Sequence, residues 1–233
     1  HAETLLERVK AVPDVDQLLT ELHTVNVDVD EINAEKLKEL DGDSVTYEQQ
    51  TTGGENYVES LQRSVLAPAQ LTVKRGALVM AVKNSPDRKY ANGSLGTVVA
   101  FEPGTDYPIV EFHNGREVLM LPDSWELRDG DKKRASITQI PLRLAWAITV
   151  HKSQGMTLDA ARIDLRKAFV EGMGYVALSR VKNVASLYLT GINQMALRVS
   201  EEARMIDELL RHKAANDRKR FASLEKNQEK AVK

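Results

Sequence analysis

Ala147-Ile148-Thr149-Val150-His151-Lys152-Ser153-Gln154-Gly155-Met156-Thr157-Leu158-Asp159 is the stretch on which the fold turns. An apolar run from Leu142 reaches Val150, breaks on a polar turn at His151 to Gly155, and is followed by a second apolar run from Ala161 to Leu165. With a helix predicted near Gly174 to Arg180 and a strand at Ser186 to Thr190, this alternation is that of an α/β layer. The turn is dense in hydrogen-bonding side chains. Thr, His, Lys, Ser and Gln can all meet phosphate oxygens, and Gly155 permits a backbone approach that a Cβ would block. His151 and Ser153 make a poor hydrolase pair, because residues two apart on a turn rarely point together and no Gly-x-Ser-x-Gly surrounds Ser153.

Upstream, residues 18–25 read as a short buried strand, after which Asn26 or Asp28 can cap a helix carrying Val29, Ile32, Leu37 and Leu40 on one face. Asp41-Gly42 stops that helix. Its N-terminus would face the carboxyl end of the strand, a usual place for phosphate. Residues 44–70 read as a connector, with a β-like stretch at Val45 to Gln49 and a short helix before Pro68. From Leu71 the character changes to short β-rich runs: Ala77 to Val82, Leu95 to Phe101, Tyr107 to Phe112, Glu117 to Leu121 and Ser136 to Ile140. Turn residues at Asn92-Gly93, Pro103-Gly104 and His113-Asn114-Gly115 punctuate them, as in a small barrel. The expected fold is therefore α/β, a parallel-sheet domain interrupted by a small β-barrel, with a C-terminal helix. The expected divisions are 1–66, the barrel at 67–140, the rest of the parallel domain at 141–200, and a charged helix at 201–233.

The 233 residues include no cysteine and five histidines, which leaves no thiol nucleophile, no disulfide framework and no thiolate metal site. No apolar run approaches the roughly 20 residues of a membrane span, and no signal sequence opens the chain, so a cytoplasmic protein is expected. Charge is divided unevenly. Residues 1–60 carry 15 acidic and 4 basic side chains, a net −11, while residues 61–233 carry 19 and 28, a net +9. The second part is thus suited to a polyanion, although solvated faces give similar imbalances.

A second cluster, Gly172-Met173-Gly174-Tyr175-Val176-Ala177-Leu178-Ser179-Arg180, opens a helix on small residues and ends it on one arginine. By spacing alone Arg180 could be an ordinary surface residue. Read with the first cluster it changes meaning. Thr149 to Thr157 resembles motif V, and Tyr175 to Arg180 resembles motif VI, of superfamily 1 DNA helicases of the RecD-like and petite-integration-frequency type. Pro141 to Ala147 before the first and Leu187 to Thr190 after the second are also similar, and Leu22 to Asn26 with Val29 and Asn33 is a looser likeness of motif IV. The β-rich stretch with Lys83-Asn84 and Asn92 to Gly96 is similar to the Src-homology-like barrel inserted in the second motor domain. The resemblance covers residues 18–195.

That resemblance implies a RecA-like domain, the second of two that close on ATP and magnesium to drive 5′ to 3′ movement on DNA. It implies that Arg180 is the arginine finger and that Gln154, Gly155 and Arg180 border the nucleotide. Thr24, His151, Lys152 and Ser153 would touch the DNA backbone or couple the two sites. The barrel would contact single-stranded DNA or the duplex junction through Lys74, Arg75, Lys83, Arg88 and Lys89, with Tyr90, Phe101, Tyr107 and Phe112 as stacking candidates or barrel core. No Gly-x-x-x-x-Gly-Lys-Ser/Thr exists, since none of the thirteen glycines has another five positions on. The nucleotide would be held mainly by a missing N-terminal RecA-like domain, so this chain alone should not hydrolyse ATP; His1 as first residue fits an excised half. A monomer is expected. Two rivals stand beside this reading: a catalytically silent nucleic-acid-binding module, and the helicase segment of a conjugative relaxase.

Overall fold

The computed structural model describes residues 7–9, 19–158 and 160–231. In chain order the elements are β1 (Thr20–His23), α1 (Asn26–Glu39), β2 (Val45–Glu48), β3 (Gln50–Gly53), α2 (Glu55–Ser64), β4 (Gln70–Val73), β5 (Leu78–Ala81), β6 (Leu95–Phe101), β7 (Pro108–Phe112) and β8 (Glu117–Leu119). There follow β9 (Asp123–Asp129), β10 (Lys132–Gln139), β11 (Leu142–Leu144), β12 (Ala147–Thr149), β13 (Ala161–Leu165), α3 (Met173–Leu178), β14 (Leu187–Ile192) and α4 (Glu201–Ala231). Leu18, where the first strand was expected to start, and Asp159 lie outside the described residues.

Four strands form a parallel sheet in the order β12-β1-β13-β14. Leu22, Ile148, Ile163 and Leu189 are buried in it, and the cluster they build takes in Met156, Leu158, Met173 and Ala177 from the loops and α3. The α1 helix packs on β12 and β1. Its N-cap is Val25, with no side-chain capping bond, so the expected Asp28 cap is not made. Two groups on the outer edge of β12 are satisfied instead by α1. Glu21 N–H donates to Trp146 O, which turns the N–H and C=O of Ala147 away from β1. The Asn33 amide takes both: Nδ2 donates to Ala147 O at 2.8 Å and Oδ1 accepts from Ala147 N–H at 3.1 Å. A side chain thus substitutes for another strand at an open sheet edge.

Between the first and second strands of this sheet the chain makes an antiparallel insertion. Strands β11-β5-β6-β7-β8 form its main sheet, around a core of Val79, Ala81, Val98, Val110, Phe112, Met120 and Leu142 that Leu71 and Val73 of β4 complete. All four residues of β5 are buried because the strand faces two cores. Leu78 and Met80 join the cluster of the parallel sheet, whereas Val79 and Ala81 join that of the insertion. Alternation along one strand therefore welds the two layers.

Residues 44–70 are not the connector expected from their sequence. Strand β2 pairs with β4, β3 pairs with β10, and α2 packs Leu61 on Ala135 and Ile137. Both pairings cross the expected division at residue 67. The polar strand β9, unrecognised in the sequence, pairs along the whole of β10. Its exposed residues alternate with half-buried ones, so one face stays in water and little apolar periodicity is written into it.

Helix α4 is exposed at every described side chain but the half-buried Asp217, including Met205, Ile206, Leu209 and Leu210. Among the described residues no helix is long and apolar enough to cross a membrane.

Candidate nucleotide and strand site

The residues singled out at the turn and at α3 meet at the carboxyl edge of the parallel sheet, the edge at which open α/β sheets bind ligands. Strand β12 ends at Thr149, and the next residue is tied across the edge by Val150 N–H donating to His23 O at 2.9 Å. Thr24, only 5% exposed, therefore sits beside the turn at residues 151–155. The turn is held from inside. Ser153 is fully buried, its N–H bonds Thr149 O at 3.0 Å, and its hydroxyl donates to Val150 O at 2.7 Å. Lys152 N–H reaches Thr149 Oγ1 at 3.3 Å. Ser153 thus presents no surface to a strand, while His151, Gln154 and Gly155 are exposed and Lys152 is half-buried.

Gly155 has φ of +78°, the left-handed region that favours glycine, and nothing stands within 4 Å of where a Cβ would be. Open space with exposed N–H-bearing backbone and an exposed amide at Gln154 suits a phosphate oxygen approaching from outside. His151 and Gln154 also form one wall of a groove of about 640 Å³, whose opposite walls are Tyr175 and Val176 of α3 and Ala203 and Arg204 of α4.

Arg180 follows α3 and is stapled to the same turn. Leu158 N–H donates to Arg180 O at 2.8 Å, and the two segments form a parallel bridge at Leu158 and Val181. Its guanidinium folds back: Nε donates to Val176 O at 2.8 Å, Nη1 to Met156 O at 3.3 Å and Nη2 to Ser179 Oγ at 2.8 Å. All three acceptors are neutral. Helix α3 is seated by Gly174, where a Cβ would fall 1.9 Å from Ala196 O. Only glycine lets α3 approach that short 3-10 turn (Met195–Leu197) so closely.

One further residue, Arg143, was not singled out in the sequence. Arg143, in β11, is 9% exposed, and its Nε has no hydrogen-bond partner among the described residues. Burial pushes its guanidinium below the ordinary range, against the pull of Asp30. Lys152 is pushed down too, first by burial and then by the charge of Arg143, with Asp30 again opposing. The sequence did carry a signal, a lone arginine inside the apolar run Leu142-Arg143-Leu144-Ala145.

The cations expected to serve a strand from the insertion lie elsewhere. Lys83 is engaged by Asp123 Oδ1 at 2.7 Å and by Ser124 O at 2.8 Å, and lies over the Trp125 ring. Arg88, at φ +57°, and Lys89 are exposed on a loop braced by the hairpin at residues 113–116. Asn114 Nδ2 donates to Lys89 O at 3.0 Å, and Arg116 Nη1 to Arg88 O at 3.3 Å. Lys89 pairs with Asp87, whose carboxyl is held down to about 2 by Lys89 and by the Ser85 hydroxyl. Lys74 is tied by its Nζ to Leu40 O at 2.7 Å. Of the aromatics, Phe112 is core and Tyr90 stacks on it with centroids 5.0 Å apart, while Phe101 and Tyr107 pack against the same core. Among the described residues no three His, Asp or Glu side chains converge as metal ligands.

No family model matches the sequence. A protein of Psychrobacter sp. named ATP-dependent DNA helicase Pif1 is 37% identical over 263 aligned positions, which cover 91% of this chain and 40% of that one. A crystal structure of Pif1 helicase from Bacteroides, a double mutant, superposes with a TM-score of 0.74 at 31% identity, covering 92% of this chain and 50% of that one. Bacteroides Pif1 in complex with ADP-AlF3 and single-stranded DNA superposes with a TM-score of 0.62 at 30% identity, covering 91% and 49%. The chain therefore spans about two fifths to one half of the length of these three proteins. The fold is that of these structures, a RecA-like sheet with an inserted barrel.

Proposed function

We propose that this chain, homologous over most of its length to the Pif1-type superfamily 1 DNA helicases, is the carboxy-terminal motor half of an ATP-dependent DNA helicase that moves 5′ to 3′. Its part in the reaction is to bring the arginine finger, Arg180, and one border of the strand track to a nucleotide bound by a partner domain. The observation that carries this reading is the staple between the two segments. Arg180 and the Gln154–Gly155 turn are joined through Leu158 and Met156, so a nucleotide meeting one meets the other.

ATP supplies the phosphoryl group and magnesium offsets its charge; both would be held mainly by the missing domain. On this chain, Gln154 and the open backbone at Gly155 would orient the terminal phosphate. Arg180 would exchange its three neutral acceptors for phosphate oxygens, which bind a guanidinium more strongly. His151 and Lys152 would touch the strand backbone, with Thr24 and Ser153 coupling that contact to the nucleotide side through the turn they hold. Arg88 and Lys89 would meet the strand or junction from the insertion, and Lys83 would join them only by leaving Asp123. On this reading the motor would comprise residues 19–43 and 145–197 and the insertion residues 44–144, a division the strand pairings support, with α4 beyond.

In a full-length protein carrying this segment, Arg180→Ala should leave single-stranded DNA binding near normal and reduce DNA-stimulated ATP hydrolysis by about two orders of magnitude or more. Wild-type turnover in that variant would remove the finger role. A silent binding module would show no DNA-stimulated hydrolysis even with Arg180 in place.

A further inference from the structure

Helix α4 runs for 31 residues, which is about 46 Å of helix, and carries an apolar stripe that takes no part in the site described above. Met205, Ile206, Leu209 and Leu210 are each half or more exposed, and Phe221 is exposed further along. Ile206, Leu210, Ala214 and Phe221 follow one another at spacings of four, four and seven, so they share one side of the helix. None of them is among the walls of the groove beside α3, which α4 meets through Ala203, Arg204 and Asp207. A helix in water draws most of its stability from packing such a side against another element.

The charges along α4 point to the kind of element. Residues 201–210 hold four acidic side chains and one basic, net −3, whereas residues 218–227 hold four basic and one acidic, net +3. Arg204 and Arg211 reach Glu201 and Asp207 within the helix, at 3.0 and 2.6 Å, but exposed pairs of this kind contribute little and leave the division standing. Two copies of α4 laid side by side in the same direction would set like charge against like. Laid in opposite directions with their crossing near Ala214, they set −3 against +3 at both ends. Ile206 and Leu210 of each copy then fall beside positions 218–222 of the other, and the small side chain of Ala214 lets the axes approach where they cross.

We propose that the apolar side of α4 is the interface for a second copy of this chain, with the two helices antiparallel about Ala214. This dimer takes the place of the monomer expected from the sequence, and it stands independently of the nucleotide and strand readings. A two-fold contact uses one surface twice and must match itself; the opposite and equal ends of α4 supply that match, as flanking charges do in setting the direction of a coiled coil. The N-terminal motor domain inferred above is the rival occupant. It is disfavoured because a face made for an unlike surface has no need to complement itself.

Analytical ultracentrifugation of the 233-residue chain over a dilution series should show a monomer–dimer equilibrium. Leu210→Asp should raise the dissociation constant about 100-fold. Asp207→Arg and Arg218→Asp should each raise it about tenfold, and the double variant should return it close to the wild-type value. The chain has no cysteine, so one introduced thiol, with oxidised glutathione as the oxidant, reads the direction. Ala214→Cys should link two copies. Ile206→Cys should not, because a disulfide needs Cα atoms within about 7 Å and antiparallel pairing sets the two 206 positions roughly 24 Å apart along the helices.

A wild-type chain that stays monomeric, a dimer indifferent to Leu210→Asp, or a double charge variant no tighter than its single parents would overturn the proposal. So would Ile206→Cys linking as readily as Ala214→Cys, which would mean parallel pairing. A chain that is dimeric alone but monomeric within a full-length protein carrying this segment would assign the stripe to the motor domain and overturn it as well.

Discussion

Asn33 offers the sharpest test of the architecture, because one amide satisfies both backbone groups on the open edge of the sheet. In Asn33→Ala, the Ala147 N–H and C=O lose their partners together, while the residue itself is 7% exposed and Ala147 fully buried. A buried backbone group left unsatisfied costs about 1–3 kcal/mol. Two such groups set a range of about 2–6 kcal/mol, and water entering the space left by the amide brings the expected loss to about 2–4 kcal/mol. Asn33→Asp separates the two bonds. At neutral pH a carboxylate can still accept from Ala147 N–H, but its other oxygen confronts Ala147 O, so the loss should equal or exceed that of the alanine variant. Burial and the facing carbonyl raise the folded-state pKa of such an aspartate above its unfolded value and together outweigh the opposing charge of Arg143, which lines the same recess. The folded protein then binds the proton more tightly, and stability relative to wild type returns as pH falls through the raised pKa, when the neutral acid donates to Ala147 O. Urea unfolding followed by circular dichroism at pH 7 and pH 5 would measure all three proteins. An alanine variant within 0.5 kcal/mol of wild type, or an aspartate variant that gains nothing on acidification, would refute the edge-sealing role.

Other positions give independent checks. Gly174→Ala would place a methyl 1.9 Å from Ala196 O; the helix carrying Arg180 must move, and a loss of about 2–4 kcal/mol in urea unfolding is expected from overpacking against backbone. Gly155→Ala meets no neighbour but must hold φ +78°, so a smaller loss of about 1 kcal/mol is expected, with the turn still formed. Lys152→Ala should weaken single-stranded DNA binding or uncouple it from ATP hydrolysis in a full-length protein, and unchanged affinity and coupling would remove it from the track. Glu21 is held below its ordinary pKa of 4.5, first by the hydrogen bond from His23 and then by the charges of His23 and Arg162. The part that needs no imidazole charge, the hydrogen bond with His23 and the pairing with Arg162, is complete above the unfolded value and disappears as pH falls through the lowered one. Glu21→Gln should therefore destabilise at pH 7 and converge with wild type in acid, as a pH series of melting temperatures would show.

What the sequence disclosed depended on how far each segment's burial was one-sided. Strands β6 and β13 fall at their expected residues, and β7 and α3 within a residue or two: glycine, proline or asparagine punctuates the ends of β6 and β7, and β13 alternates buried with half-buried residues along its whole length. Residues 44–70 failed as a connector for the opposite reason. Strand β3 is exposed at every residue and β2 at every second one, so pairing rather than burial fixes them. No periodicity records a partner 84 residues away, such as Ser136 for Thr52, whose hydroxyls meet at 2.7 Å. At the candidate site, the turn stood out because hydrogen-bonding residue types are concentrated there, whereas Arg180 was singled out only by the resemblance of its segment to a helicase motif. Arg143 was hidden among apolar neighbours, and the sealing of Ala147 by Asn33 depends on how α1 packs, which spacing within α1 does not encode.

The placement of Arg180 also bears on how a finger could be switched without refolding. Its three bonds go to two carbonyls and a hydroxyl, each a neutral acceptor of the kind that contributes about 1 kcal/mol net. Bonds to an anionic phosphate contribute about 1.5–3 kcal/mol each. Exchange is therefore favourable when a phosphate arrives, and return is favourable when it leaves. Two of the acceptors, Val176 O and Ser179 Oγ, belong to α3 itself, whereas Met156 O belongs to the turn carrying Gln154 and Gly155. On the proposed reading, withdrawal of Nη1 from Met156 O would loosen one of the ties between Arg180 and the turn while the bond from Leu158 N–H to Arg180 O remained, and so would pass a change at the nucleotide to the segment that holds Lys152.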